Sequence, residues 1–185
     1  MRVRQALGTL LSPFSILACS DPVAVGKCDE AARSLDPSLR LPPVTEFQTV
    51  DDHWSEIARQ VPGGWGGFFL VNGQATIYLA APGKRDEAVA ALYALGVGQP
   101  QFDVRSAAVF QGRWDFAQLY DWYRYINDQA STVSGLYFAD IDEARNRLHY
   151  GVDPGAMGQL ESVLQALNLP CDLVIVEATG PPVPL

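Results

Sequence analysis

Two stretches of this chain carry the same order of local signals, and that repetition limits the possible folds more than any other feature. In the first, an acidic start opens a short helix over 52–61. Strands over 68–71 and 74–80 follow, joined by Asn72-Gly73, a dipeptide suited to the positive φ angles of a two-residue hairpin turn. An Ala-rich helix over 84–95 is entered through Pro82-Gly83, and 105–111 is the last strand. In the second stretch, 115–127 reads as a helix and 135–141 and 147–152 as hairpin strands around a longer turn at 142–146. A helix over 156–167 enters through Pro154-Gly155, and 172–178 is the last strand. A constant spacing of 72 residues pairs Tyr78 with Tyr150, Pro82-Gly83 with Pro154-Gly155, Leu92 with Leu164 and Ala94-Leu95 with Ala166-Leu167.

The expected fold is α+β, with two tandem αββαβ repeats at 45–112 and 113–179. Each is expected as a small antiparallel sheet with two helices on one face. Helical spacing gathers Ala88, Ala91, Leu92 and Leu95 on one side, and Leu160, Val163, Leu164 and Leu167 on the counterpart. In 147–152, Leu148, Tyr150 and Val152 alternate with Arg147, His149 and Gly151, so one sheet face meets the helices and the other is polar and open. That open face, or an unpaired edge, is the natural place for a partner. Apolar residues at 48% suffice for a core, and 13 basic against 21 acidic residues leave a net charge of −8. Such a balance argues against nucleic acid as the main partner, because phosphate binding needs clustered Lys and Arg.

Residues 1–18 resemble an export signal: Arg2 and Arg4 precede a short, mostly apolar run that is too short to span a membrane well. The run ends Ile16-Leu17-Ala18-Cys19, which resembles the bacterial lipoprotein signal. The resemblance implies acylation of Cys19 and an exported, lipid-anchored protein of the cell envelope, attached to the membrane through that lipid alone. A plain secretory signal cut after Ala18 is the other reading. With Cys19 acylated, Cys28 and Cys171 remain as a pair in an oxidising compartment, and a Cys28–Cys171 disulfide is expected. Residues 19–44, with Pro22, Pro37, Pro42 and Pro43, read as a lipidated tether, and 180–185 as an extended Pro-rich tail.

Candidate chemistry is thin. Asp51-Asp52-His53 puts acids beside a histidine, but one of these acids serves better as a helix N-cap. His149 is expected on the open sheet face beside Arg147. The acids of 140–143 lack the full spacing of a calcium loop. No nucleophile elbow, phosphate loop or dinucleotide fingerprint occurs, so no enzyme activity, cofactor or metal is expected. Trp122 and Tyr125 fall off the apolar stripe Phe116, Leu119, Tyr120, Tyr123 and Ile126, and either pack against the other half or form a recognition patch. Trp65, inside Gly63-Gly64-Trp65-Gly66-Gly67, is either a core plug or a binding finger.

The segment Val133-Ser134-Gly135-Leu136-Tyr137-Phe138-Ala139-Asp140, then Asn146-Arg147-Leu148, Val152, the helix, and Leu173-Val174-Ile175-Val176 resembles the pro-region of alpha-lytic-protease-type secreted serine proteases. In that family the pro-region is a folding chaperone and tight inhibitor, built of two related α/β subdomains. Its C-terminal sheet packs on the protease, and its tail lies in the active cleft. No protease domain follows Leu185, so a role in cis is not expected. The resemblance implies a protein-binding module, either a stand-alone protease inhibitor or a pro-region-like chaperone. Its partner would be a secreted serine protease, with Pro181, Pro182, Val183, Pro184 and Leu185 as cleft-binding candidates beside Trp65, Trp122 and Tyr125. The alternative is an envelope protein that is structural or holds a small ligand or peptide at the seam between the repeats.

Overall fold

The computed structural model describes residues 23–25, 33–99 and 101–181. Its elements are β1 (Val23–Val25), α1 (Val50–Gln60), β2 (Trp65–Val71), β3 (Gln74–Leu79), α2 (Arg85–Ala94), β4 (Ala108–Gln111), α3 (Phe116–Ala130), β5 (Leu136–Asp142), β6 (Arg147–Val152), α4 (Met157–Ala166) and β7 (Val174–Ala178). The two long amphipathic helices start on reciprocal caps. Thr49 accepts from the Asp52 amide while Asp52 accepts from that of Thr49, and Asp115 and Gln118 do the same for α3. The cap of α1 is therefore Thr49. Asp52, one of the two acids expected to cap, sits three residues inside and completes the box.

The class is α+β, and the order helix, strand, strand, helix, strand occurs twice. In each case the hairpin is antiparallel (β2 with β3, β5 with β6) and the last strand joins the second hairpin strand in parallel (β4 on β3, β7 on β6). The expectation of purely antiparallel sheets is corrected by that last strand. A helix between two neighbouring strands carries the chain back to the end at which the first strand began, and so sets them parallel. The first sheet has the order β2-β3-β4 and the second β1-β7-β6-β5.

The constant spacing of 72 does not survive in the hairpins. Each hairpin has a register shift in its first strand. In one the shift follows the pair Trp65–Leu79, in the other the pair Leu136–Val152. Superposing those pairs requires one residue less than 72 along the first strand and one more along the second. A one-residue slip exchanges the faces of a strand. Tyr78 accordingly lies on the outward face, stacked on Phe69 with ring centroids 5.2 Å apart, whereas Tyr150 is fully buried. The 72-residue register does hold for the helices, where Ala88 and Leu92, like Leu160 and Leu164, are fully buried.

A single hydrophobic cluster runs through both halves. Its centre is the contact of α1 with α3, and α3 also touches β2, β5 and β6. Trp65 stacks on Phe116 at 5.9 Å, and the edge of Trp54 closes on both. Asn146, buried in the β5–β6 turn at φ 54°, bolts the second hairpin to the first half. Its Oδ1 accepts from the amides of Arg113 and Trp114, both at 2.9 Å, and its Nδ2 donates to the carbonyls of Gly66 at 3.1 Å and Trp114 at 2.9 Å. This explains Gly66: a Cβ there would lie 2.5 Å from the Trp114 carbonyl and 2.6 Å from Asn146 Nδ2.

Part of the expected tether belongs to the body. Val23–Val25 pairs antiparallel with β7 as the edge strand of the second sheet. Leu35 is buried at 1% exposure, the Trp122 indole donates to the Arg33 carbonyl at 3.0 Å, and Gln118 Nε2 donates to Ser34 Oγ at 3.1 Å. Residues 33–47 thus form a strap across α3. Its Pro-rich composition limits regular structure to one 3-10 turn at Pro37–Leu39 without keeping it off the domain.

Candidate functional site

The outward faces of the two sheets are the surfaces that the strands hold rigid and no helix covers. On the first, Phe69 and Tyr78 stack, and Tyr78 lies 6.3 Å from Phe110, which is 51% exposed. Val71, at the free end of β2, is also exposed on this face. This face is aromatic, whereas the polar face expected from the alternation in 147–152 belongs to the second sheet. On the second sheet, Phe138 meets the His149 ring edge-on at 4.9 Å and covers Gly151, where a Cβ would fall 2.0 Å from the Phe138 ring. Around them the face is polar. His149 Nε2 lies 2.9 Å from Glu177 Oε2, and Nδ1 lies 3.8 Å from Asp142 Oδ2.

The β5–β6 turn sits between the two faces. Tyr78 reaches across to donate to the Ala144 carbonyl at 3.2 Å. Beside it the Glu143 side chain lies over Gly67, whose added Cβ would meet the Glu143 Cγ at 2.8 Å. Burial pushes the Glu143 carboxyl up to about 7, and the nearby charges of Asp140, Asp51 and Asp142 add to the shift. Asp51 and Asp140 are raised as well, each mainly by burial, Asp51 then by Asp140 and Asp140 then by Asp142. One carboxylate comes from α1 and two from the second hairpin, so this repulsion acts across the junction of the halves. Among the described residues no group of three or more His, Cys, Asp or Glu is arranged to hold a metal ion.

On the opposite, helical side, the Tyr120 hydroxyl donates to Asp52 Oδ1 in a short hydrogen bond joining α3 to α1. That bond, with the amides of Gln48 and Thr49, holds the Asp52 carboxyl down at about 2. Asp121 pairs with Arg40 at 3.3 Å and Arg59 at 3.2 Å, and Arg124 donates to the Pro42 carbonyl at 2.8 Å. These groups border an open groove of about 760 Å³ between the strap, α1 and α3.

The sequence-derived candidates are dispersed. Trp65 is fully buried as the core plug, and Trp122 is 4% exposed beneath the strap; neither lines the groove, while Trp122 and Tyr125 together border a second open cavity of about 400 Å³. The partner of Trp122 is the strap, not the other half. Tyr125 is half-buried beside it, with ring centroids 6.2 Å apart. His53 is exposed at the start of α1, edge-on to Phe47 at 5.6 Å. Cys171 is buried, while Cys19 and Cys28 lie outside the described residues, as do Pro182, Val183, Pro184 and Leu185. Pro181 is exposed. Sequence reasoning missed the aromatic outer face and the Asn146 bolt. The signal for the first was present: Phe69, Val71, Tyr78 and Phe110 alternate with the buried Phe68, Ile77 and Leu79 once the strand pairing is known. No family model matches this chain, and no curated protein matches it.

Proposed function

We propose that this chain is a non-enzymatic cell-envelope lipoprotein that binds another protein through the open face of its first sheet. The supporting observation is the aromatic row Phe69, Tyr78 and Phe110 on strands that cannot collapse to hide it. Aromatic side chains on a rigid surface lose little entropy on binding and supply most of the energy at protein interfaces. The partner class is taken from the resemblance of the second half: a secreted serine protease, towards which the chain acts as inhibitor or pro-region-like chaperone, with the contact moved from the C-terminal sheet used in that family to the first sheet, where the aromatic row lies. Descent of the two halves from one αββαβ unit belongs to the same proposal. It is supported by their shared pairing, including the register shift at corresponding pairs. Acylation at Cys19 and the Cys28–Cys171 disulfide complete the reading.

The test is titration of the purified protein into bacterial serine proteases of the chymotrypsin fold. Inhibition or tight binding is expected, weakened at least tenfold by Phe110→Ser and also by deletion of 179–185. Binding indifferent to both changes, or absent across such proteases, refutes the reading. Intact mass with and without reductant reports the acyl group and the disulfide.

A further inference from the structure

Four of the ten large apolar side chains that stand exposed among the described residues fall within one dozen positions: Leu39, Leu41, Phe47 and Val50 at 45%, 38%, 57% and 60%. They run along the strap and into the start of α1. The strap lies on the outer side of α3, held by Trp122 and Arg124, while Phe116, Leu119 and Ile126 of the same helix are buried on its inner side. From Leu39 to Phe47 the apolar rim therefore runs over the helical side, on the strap that lies on α3, and Val50 continues it to the start of α1.

Where the chain leads from this body decides what covers the rim. Val23 is already in the second sheet, and only four positions separate it from Cys19. Four residues reach at most about 14 Å. An acyl group on Cys19 would thus hold the body directly against the bilayer rather than on a long leash. The arginines of this side do not make it a cationic patch, since Arg40 and Arg59 share Asp121 and Arg124 is bonded to a carbonyl. We propose that the rim of Leu39, Leu41, Phe47 and Val50 seats on the surface of the membrane that holds the lipid anchor, turning the outward sheet faces toward the aqueous side. This rests on the lipoprotein reading. Apolar side chains entering the interfacial zone add to a lipid anchor and fix its orientation.

The experiment uses the exported chain, purified from membranes with its own N-terminus and placed in phosphatidylethanolamine–phosphatidylglycerol vesicles whose acyl chains carry a carbene-generating probe. After illumination, mass spectrometry maps the adducts. Peptides covering 39–50 should carry several-fold more label than those covering 108–111. The Leu41→Ser/Phe47→Ser variant, altered only at exposed positions, should lose at least half of that label with unchanged thermal unfolding. An acylated chain whose 39–50 region stays unlabelled, or whose label falls on the sheet faces, overturns the membrane seat and leaves the lipoprotein reading intact. So does protection of 39–50 that appears without vesicles as protein concentration rises, which would assign the rim to a second copy. An intact mass without acyl chains, together with no vesicle binding, removes both.

Discussion

The outward face of β2–β4 carries Phe69, Tyr78 and Phe110, whereas that of β5–β7 carries Asp140, His149 and Glu177 around one phenylalanine. The order and pairing of the three strands beneath the two faces are the same, the second sheet adding β1 at the edge of β7. Pairing is dictated by the hairpin and the crossover helix, and the buried face by the shared core. The outward face answers to neither and is free to specialise. The difference teaches that topology alone does not say which sheet meets a partner. That choice lies in side chains on which folding makes no demand.

The comparison can be broken most forcefully at the joint. Asn146→Ala leaves two amides and two carbonyls without their partner and should cost about 3–5 kcal/mol, read as a lower midpoint in denaturant unfolding. If the halves were independent, the same change would produce two separated transitions in place of one shifted transition. Tyr120→Phe removes the hydroxyl that links Asp52 of the first half to α3 of the second. A loss of about 1–3 kcal/mol at pH 7 is expected, because a buried carboxylate loses one of its donors.

Glu143 sharpens the contrast through pH. Its folded-state pKa is raised, so the folded protein holds that proton more tightly than the unfolded chain. The resulting stabilisation is complete below about pH 4.5, declines as pH rises through about 7, and is absent above it. Glu143→Gln should flatten this part of the stability profile and add about 1–2 kcal/mol at pH 8, after allowance for the screening of a partly exposed group. A pH profile identical to that of the parent would show that the junction carries no such repulsion. The smallest effect on folding belongs to Phe110→Ser. A half-exposed edge residue should change stability by less than about 1 kcal/mol while weakening partner binding at least tenfold. His149→Ser on the polar sheet should leave binding unaltered, and a loss equal to that of Phe110→Ser would move the interface to the second sheet.

Much of the architecture was legible from short-range patterns. Every predicted helix and strand exists, and β6 has the expected bounds Arg147–Val152 with Leu148, Tyr150 and Val152 inward. The strand entered by Trp65 begins earlier than predicted, because the glycines around it read as a loop. Gly66 in fact admits the Asn146 side chain and the Trp114 carbonyl. Asn146 itself reads as a turn residue, and its positive φ agrees. Nothing near it in the chain announces partners at Gly66 and Trp114. The candidate site was less legible: of the aromatic residues singled out, Trp65 and Trp122 are buried and Tyr125 half-buried, while the exposed Phe110 went unnoticed.

Periodicity, caps and turn residues act over a few positions, so the chain by itself determined the element types, their order and the inward side of α3, α4 and β6, while Tyr78 and Leu95, read with the core, stand outward. The parallel last strands, the aromatic outer face, the bolt at Asn146 and the strap over Trp122 depend on which distant segments meet. Those meetings are decided by close packing and by satisfying buried polar groups in three dimensions, which no local pattern encodes.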